Sequence, residues 1–364
     1  MIRIIKECVM TDKAEAKGGL IENVSRYRPQ IMGFAAIWIF IFHVRNDVTV
    51  FNNVPVLNDI DIFFVNIGFN GVDIFLLLSG WGLYHAINKH NLLLFFKRRY
   101  RRLVLPFVVA CVATALLNHW SIARLIKAVT CWTFLTKDVH EPKWFVPAIA
   151  IMYLFFPLYH KLFEKFKNKY LFTGVVISLW LVLSFILPLI TDRKDIYVAV
   201  GRIPVFLIGV LVGWFTYSKK KITKQWAVWA VIIPMLIAGF QTEYYVAFKK
   251  VVLLNPGISN ALPGILIGIP MCLIVGQVFS LLGKVTFIQK IYGFMGKITL
   301  EFYVVQEIVL AAIKGPIYYS GVYFNRHLMV LIVFIISLGC AYIIHMFSTV
   351  ISKKQDGEPV FTKK

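Results

Sequence analysis

The chain has 364 residues, of which 59% are hydrophobic and only 16% charged, against about 25% charged in a soluble protein. Such a composition cannot supply the polar surface of one or two soluble domains, so lipid must cover much of the molecule. Its formal charge of +21 sits in short clusters between apolar runs of about 20 residues, the spacing of loops between membrane-spanning helices, and calls for no nucleic-acid partner.

Residues 1–29 form a charged N-terminal segment whose only apolar stretch is the short start MIRII, which lacks the core of a signal peptide. The first long apolar run is therefore expected to be an anchor. The predicted spans, in chain order, are 30–48, 63–86, 103–118, 144–160, 170–191, 201–217, 226–243, 257–282, 298–315 and 327–350, and a polar tail, 351–364, is read as disordered. The expected fold class is all-α integral membrane, a bundle of about ten transmembrane helices filling 30–350. Of the 39 Lys and Arg, 27 fall in the segments on one side of these spans and nine in the loops on the other, which places both termini in the cytoplasm.

Two elements stand out from the regular spans. In the connection 120–143, Ile122, Leu125, Ile126, Val129, Trp132 and Thr133 recur at helical spacing opposite Arg124 and Lys127, which predicts a helix lying on the outer surface. The eighth span carries Gly257, Pro263, Gly264, Gly268 and Pro270 and is expected to be kinked or broken. The five cysteines, Cys8, Cys111, Cys131, Cys272 and Cys340, have neither disulfide nor metal spacing.

Polar groups inside lipid are the informative ones, because each is expensive there. The first span holds His43 and the second Asp73. At 1.5 Å per residue, His43 lies about 21 Å beyond Pro29 from the inner side and Asp73 about 15 Å below Phe63 from the outer side. In a core about 30 Å thick the two depths differ by about 6 Å, so adjacent antiparallel helices bring them within reach. Asp73 would then orient His43 as a general base; a plain buried hydrogen-bonding role is the alternative. At the inner end of the third span, RRYRR supplies Arg98, Arg99, Arg101 and Arg102, forked donors suited to phosphate, although such a cluster also serves simply as a topology anchor. Arg202 is expected to bind an acceptor or to snorkel to the outer headgroups. Glu301 is expected to pair with Lys297 one turn away, whereas Glu307 has no evident partner. Trp144 belongs with the aromatic anchors of the outer mouth.

The stretch from Arg28 to His43, then GVDIFLLLSGWGL, FFKRRYRRLVLPF, KWFVPAIAIMYLFFPL, GRIPVFLIGVLVGW and MGKITLEFYVVQEIV, resembles in order and content the acyltransferase-3 family of integral membrane acyltransferases. The resemblance covers nearly the whole chain, and its most specific piece is Gly71, Asp73, Phe75, Ser79 and Gly80 followed by the arginine cluster before Pro106. It implies an O-acyltransferase moving an acyl group, usually acetyl, from cytoplasmic acyl-CoA (acetyl-CoA) to a hydroxyl of a cell-envelope or secreted glycan, without a metal, in a multi-pass protein of the bacterial plasma membrane. His43 matches the family's catalytic histidine, and Arg99 and Arg102 its donor-associated RxxR pair. The chain departs from the pattern at Met32, where members often have arginine, at Ile149, where many have glutamate, and at Gln306, where histidine is common. Arg28, one turn before Met32, is the candidate substitute near the cytoplasmic mouth. A transporter of glycans or lipid-linked sugars is the rival reading of a bundle with a broken helix.

Overall fold

The computed structural model describes residues 19–44, 55–136, 144–249, 251–252, 256–283, 285–319 and 326–355. Among these the chain is helical throughout, with no strand. In order, the helices are α1 (Leu20–Arg26), α2 (Arg28–His43), α3 (Pro55–Asn66), α4 (Gly71–Ile87), α5 (Leu92–Leu117), α6 (Ile122–Val129), α7 (Trp132–Thr136), α8 (Phe145–Lys165), α9 (Lys169–Ile190), α10 (Lys194–Gly201), α11 (Ile203–Tyr217), α12 (Gln225–Glu243), α13 (Pro256–Pro263), α14 (Ile269–Leu281), α15 (Thr286–Lys297), α16 (Thr299–Tyr319) and α17 (Arg326–Gln355). A 3₁₀ turn, Ile67–Asn70, joins α3 to α4, and a π-helical turn, Gly264–Gly268, joins α13 to α14.

Local chemistry sets several of the helix starts. The side chains of Asn91, Ser121 and Asn168 each accept a hydrogen bond from the backbone N–H three residues on, opening α5, α6 and α9. Pro29 sits in the first turn of α2, where its missing N–H costs nothing.

Among the described residues, eight helices are long and apolar enough to cross a membrane. They coincide with eight of the ten expected spans. The other two are helical as well: α2 is described for 16 residues, and α16 carries Glu301, Glu307 and Lys314 in its apolar run.

Close helix contacts are made through glycine. A Cβ on Gly80 of α4 would collide with the carbonyl of Phe206, and one on Gly209 of α11 with that of Leu77. A Cβ on Gly33 of α2 would likewise meet the Tyr292 carbonyl of α15. In lipid, where water does not drive apolar faces together, such backbone contact is a main source of helix association. α2 is thereby sunk into the bundle, with Ile31, Ala35, Trp38 and Ile39 all buried. Phe40 packs on Phe302 of α16 and Phe334 of α17 with ring centroids 5.8 and 5.3 Å apart.

Some expectations are corrected at the edges. Within the N-terminal segment, α1 packs on α14, and Asn23 donates to Gln277 at 3.1 Å. α17 runs on to Gln355, five residues past the expected end of the last span. The surface helix is two helices, because Cys131 adopts a left-handed backbone with φ 60° between α6 and α7. Ile122 and Ile126 point outward, as an apolar face on lipid requires, whereas Thr133 of the same stripe is buried. The interruption of the eighth span is the π-helical turn rather than a break.

Candidate active site

Asp73 does not reach His43. Gly71 faces α2, since a Cβ there would lie 2.7 Å from the Ala35 carbonyl. Two residues further along a helix is a rotation of about 200°, so Asp73 points away from α2. It meets Arg202 at 2.8 Å, with both side chains almost fully buried. The snorkelling expected of Arg202 does not occur; its guanidinium also lies over the Phe69 ring at 5.2 Å. The π turn closes over this pair. A Cβ on Gly264 would collide with Arg202, and one on Gly268 with Asp73.

The carboxylate on His43 comes from Glu307. His43 Nε2 lies 3.0 Å from Glu307 Oε1, and His43 Nδ1 lies 3.1 Å from the amide nitrogen of Gln306. An amide nitrogen can only donate, so Nδ1 accepts and Nε2 carries the hydrogen given to Glu307. Gln306 and Glu307 are consecutive on α16 and point about 100° apart, which makes a notch for the imidazole. The Tyr303 ring, one turn earlier, stands 6.4 Å from the imidazole. Glu301, two residues before Tyr303, pairs with His345 at 3.0 Å rather than with Lys297, which is exposed.

A cavity of about 490 Å³ lies between α2, α4, α5, α8 and α16, within the usual size range of small-molecule sites. Along α4 it is lined by Phe75, Ser79, Gly82 and His85, one helical stripe about 15 Å long. One end holds Arg28, Arg98, Arg99, Arg102 and Lys89. Arg28 donates to the Leu78 carbonyl at 2.6 Å, and its guanidinium occupies the space a Cβ on Gly82 would need. Arg98, Arg99 and Arg102 fall within about 100° of the α5 surface. Arg101 lies outside that arc and is not part of the lining, so RRYRR divides. Arg98 is also engaged by His90, at 2.8 Å.

Aromatic rings line the cavity as well. Phe75 and Phe145 lie 6.2 Å apart, Phe145 and Tyr303 5.3 Å apart. His43 does not line the cavity; Tyr303 touches both. Met32 and Ile149, the two apolar departures from the family pattern, line the same cavity.

Glu307 and Gln306 are the residues that sequence reasoning undervalued. Their signal was present: a carboxylate deep in an apolar helix must have a partner, and His43 lies at a depth that Glu307 as well as Asp73 can reach. No curated protein and no solved structure matches the chain. Residues 32–346, which supply the His43 centre and every cavity residue named except Arg28, match the family model described as an acyltransferase domain, Acyl_transf_3, and the chain belongs to this family of multi-pass membrane acyltransferases.

Proposed function

We propose that the protein is an O-acetyltransferase with ten membrane spans and both termini in the cytoplasm, carrying acetyl from cytoplasmic acetyl-CoA to a hydroxyl of a cell-envelope or secreted glycan. The observation that carries this reading is the imidazole held between Glu307 and Gln306 at the far side of an arginine-lined cavity. Arg28, Arg99 and Arg102 hold donor phosphates at the inner mouth, and the thioester arm follows the α4 stripe towards Tyr303. There the ring yields and the acyl carbon meets His43.

The acceptor hydroxyl replaces the Gln306 amide at Nδ1 of His43. Nδ1 takes the hydroxyl proton as the oxygen attacks the thioester carbonyl, and the imidazolium is stabilised through Nε2–H by Glu307. The tetrahedral intermediate collapses with cleavage of the C–S bond, and the proton passes from Nδ1 to the departing thiolate. The ester and free CoA are the products. Mass spectrometry of envelope glycans from cells with and without the gene tests the reading: an acetyl increment that depends on the gene is expected, and identical glycans would overturn it.

Replacing Arg99 and Arg102 by Gln is expected to weaken donor binding by roughly tenfold or more, with the loss shrinking as salt rises, because charged hydrogen bonds to phosphate are being removed. Titration calorimetry with acetyl-CoA at low and high salt measures this; an affinity unchanged at low salt would leave the arginines as topology anchors. Impermeant thiol reagents should label a cysteine placed next to Arg102 only from the cytoplasmic side and one placed at Asn58 only from outside. The reverse pattern would invert the topology.

A further inference from the structure

A second cavity, of about 500 Å³, adjoins the first. Ser25 lines both, and a hydrogen bond of 3.0 Å links His85 in the wall of one to Thr216 in the wall of the other. This second space lies at the C-terminal end of α11, where Lys219 leaves the helix with a left-handed backbone, φ 54°. Lys219, Lys220 and Lys221 follow one another along its rim, all exposed. Lys220 is seated over the Trp214 ring at 3.9 Å. The carboxylate that lines the cavity, Glu22, is turned to the Gly19 N–H at 3.0 Å. Phe215 adds an aromatic surface to the lining.

Two basic clusters of different chemistry therefore sit in adjoining spaces. Guanidinium forks suit a row of phosphate oxygens, and compact ammonium groups suit a single doubly charged phosphate. Coenzyme A carries this pair of groups: a pyrophosphate next to its flexible arm, and a phosphate monoester on the ribose beside the adenine. We propose that the second cavity holds the 3′-phosphorylated adenosine end of the donor, with the phosphate monoester on Lys219 and Lys221 and the base against Phe215, while the arginines of the first cavity hold the pyrophosphate. This rests on acyl-CoA being the donor. An anionic lipid headgroup offers the same phosphate chemistry to the lysines.

The test is binding of CoA and of 3′-dephospho-CoA, by calorimetry, to the full chain in uncharged detergent. The wild type should prefer CoA by roughly tenfold or more. Changing Lys219, Lys220 and Lys221 together to Gln should erase the preference while leaving dephospho-CoA affinity unchanged, which also reports a folded donor site; the same three changed to Arg should keep it. Should the triple variant fail to insert, Lys219→Gln and Lys221→Gln singly should each lower CoA affinity severalfold and spare dephospho-CoA. A preference that survives the Gln variants, or a wild type that binds the two ligands equally, overturns the proposal while leaving acyl-CoA as donor. Binding of neither ligand overturns the donor reading and this proposal with it. A preference present in zwitterionic nanodiscs but abolished by anionic lipid at the same ionic strength would assign the lysines to headgroups instead.

Discussion

His43→Ala is expected to lower acetyl transfer by purified protein by about 10²–10⁴-fold, the usual contribution of a positioned general base. His43→Gln should be as inactive while keeping a polar group in the notch, so that loss of chemistry is separated from loss of packing. Glu307→Gln preserves shape and removes charge. It gives up one charged hydrogen bond to the imidazolium, about 1.5–3 kcal/mol, and should slow turnover roughly 10- to 150-fold with little change in KM for the donor. A Glu307→Gln enzyme with wild-type turnover would remove Glu307 from the mechanism, and a His43→Ala enzyme with wild-type turnover would remove the mechanism itself.

Asp73→Ala is expected to destabilise the protein by about 3–5 kcal/mol, because Arg202 is left as a buried charge with its carboxylate gone. Arg202→Met should cost a similar amount from the other side. The double change Asp73→Leu with Arg202→Met should lie nearer the wild type than either single change, since an apolar pair carries no desolvation penalty. Thermal unfolding in detergent measures all three. Turnover of the double variant then decides what Asp73 does. Activity retained in a refolded double variant fits a pair that only braces α4 against α11, whereas activity lost despite restored stability would return Asp73 to the reaction.

Much of this architecture was legible in the sequence, because lipid demands long apolar helices and loops carry the compensating charge. Among the described residues, eight of the ten expected spans reappear as helices fit to cross a membrane. The centre was legible in part. His43 and the arginine cluster announced themselves as polar groups in unusual places, but the partner of His43 was misread. Rise per residue fixes depth along a helix and not rotation about it, and Asp73 has the right depth on the wrong face. Rotation was encoded locally by Gly68 and Gly71, whose missing side chains let the start of α4 lie on α2. The pairing of Glu301 with His345 was invisible for another reason: it joins α16 to α17 across 44 positions, whereas Lys297 is near only in sequence. Arg101 shows the same limit within one motif, since four arginines in five residues cannot share one face of a helix.

The three rings between the cavity and His43 bear on the membrane as well as on the reaction. On the proposed reading, a cytoplasmic donor meets an acceptor beyond the bilayer midplane, and such an enzyme has to open a path through its own interior. Left permanently wet, that path would conduct protons and collapse the ion gradients of the cell that made it. Phe75, Phe145 and Tyr303, each within 6.2 Å of the next, would lay an apolar septum across it. On that reading the septum would hold the gradients across an energised membrane until the arm of the donor fills the gap.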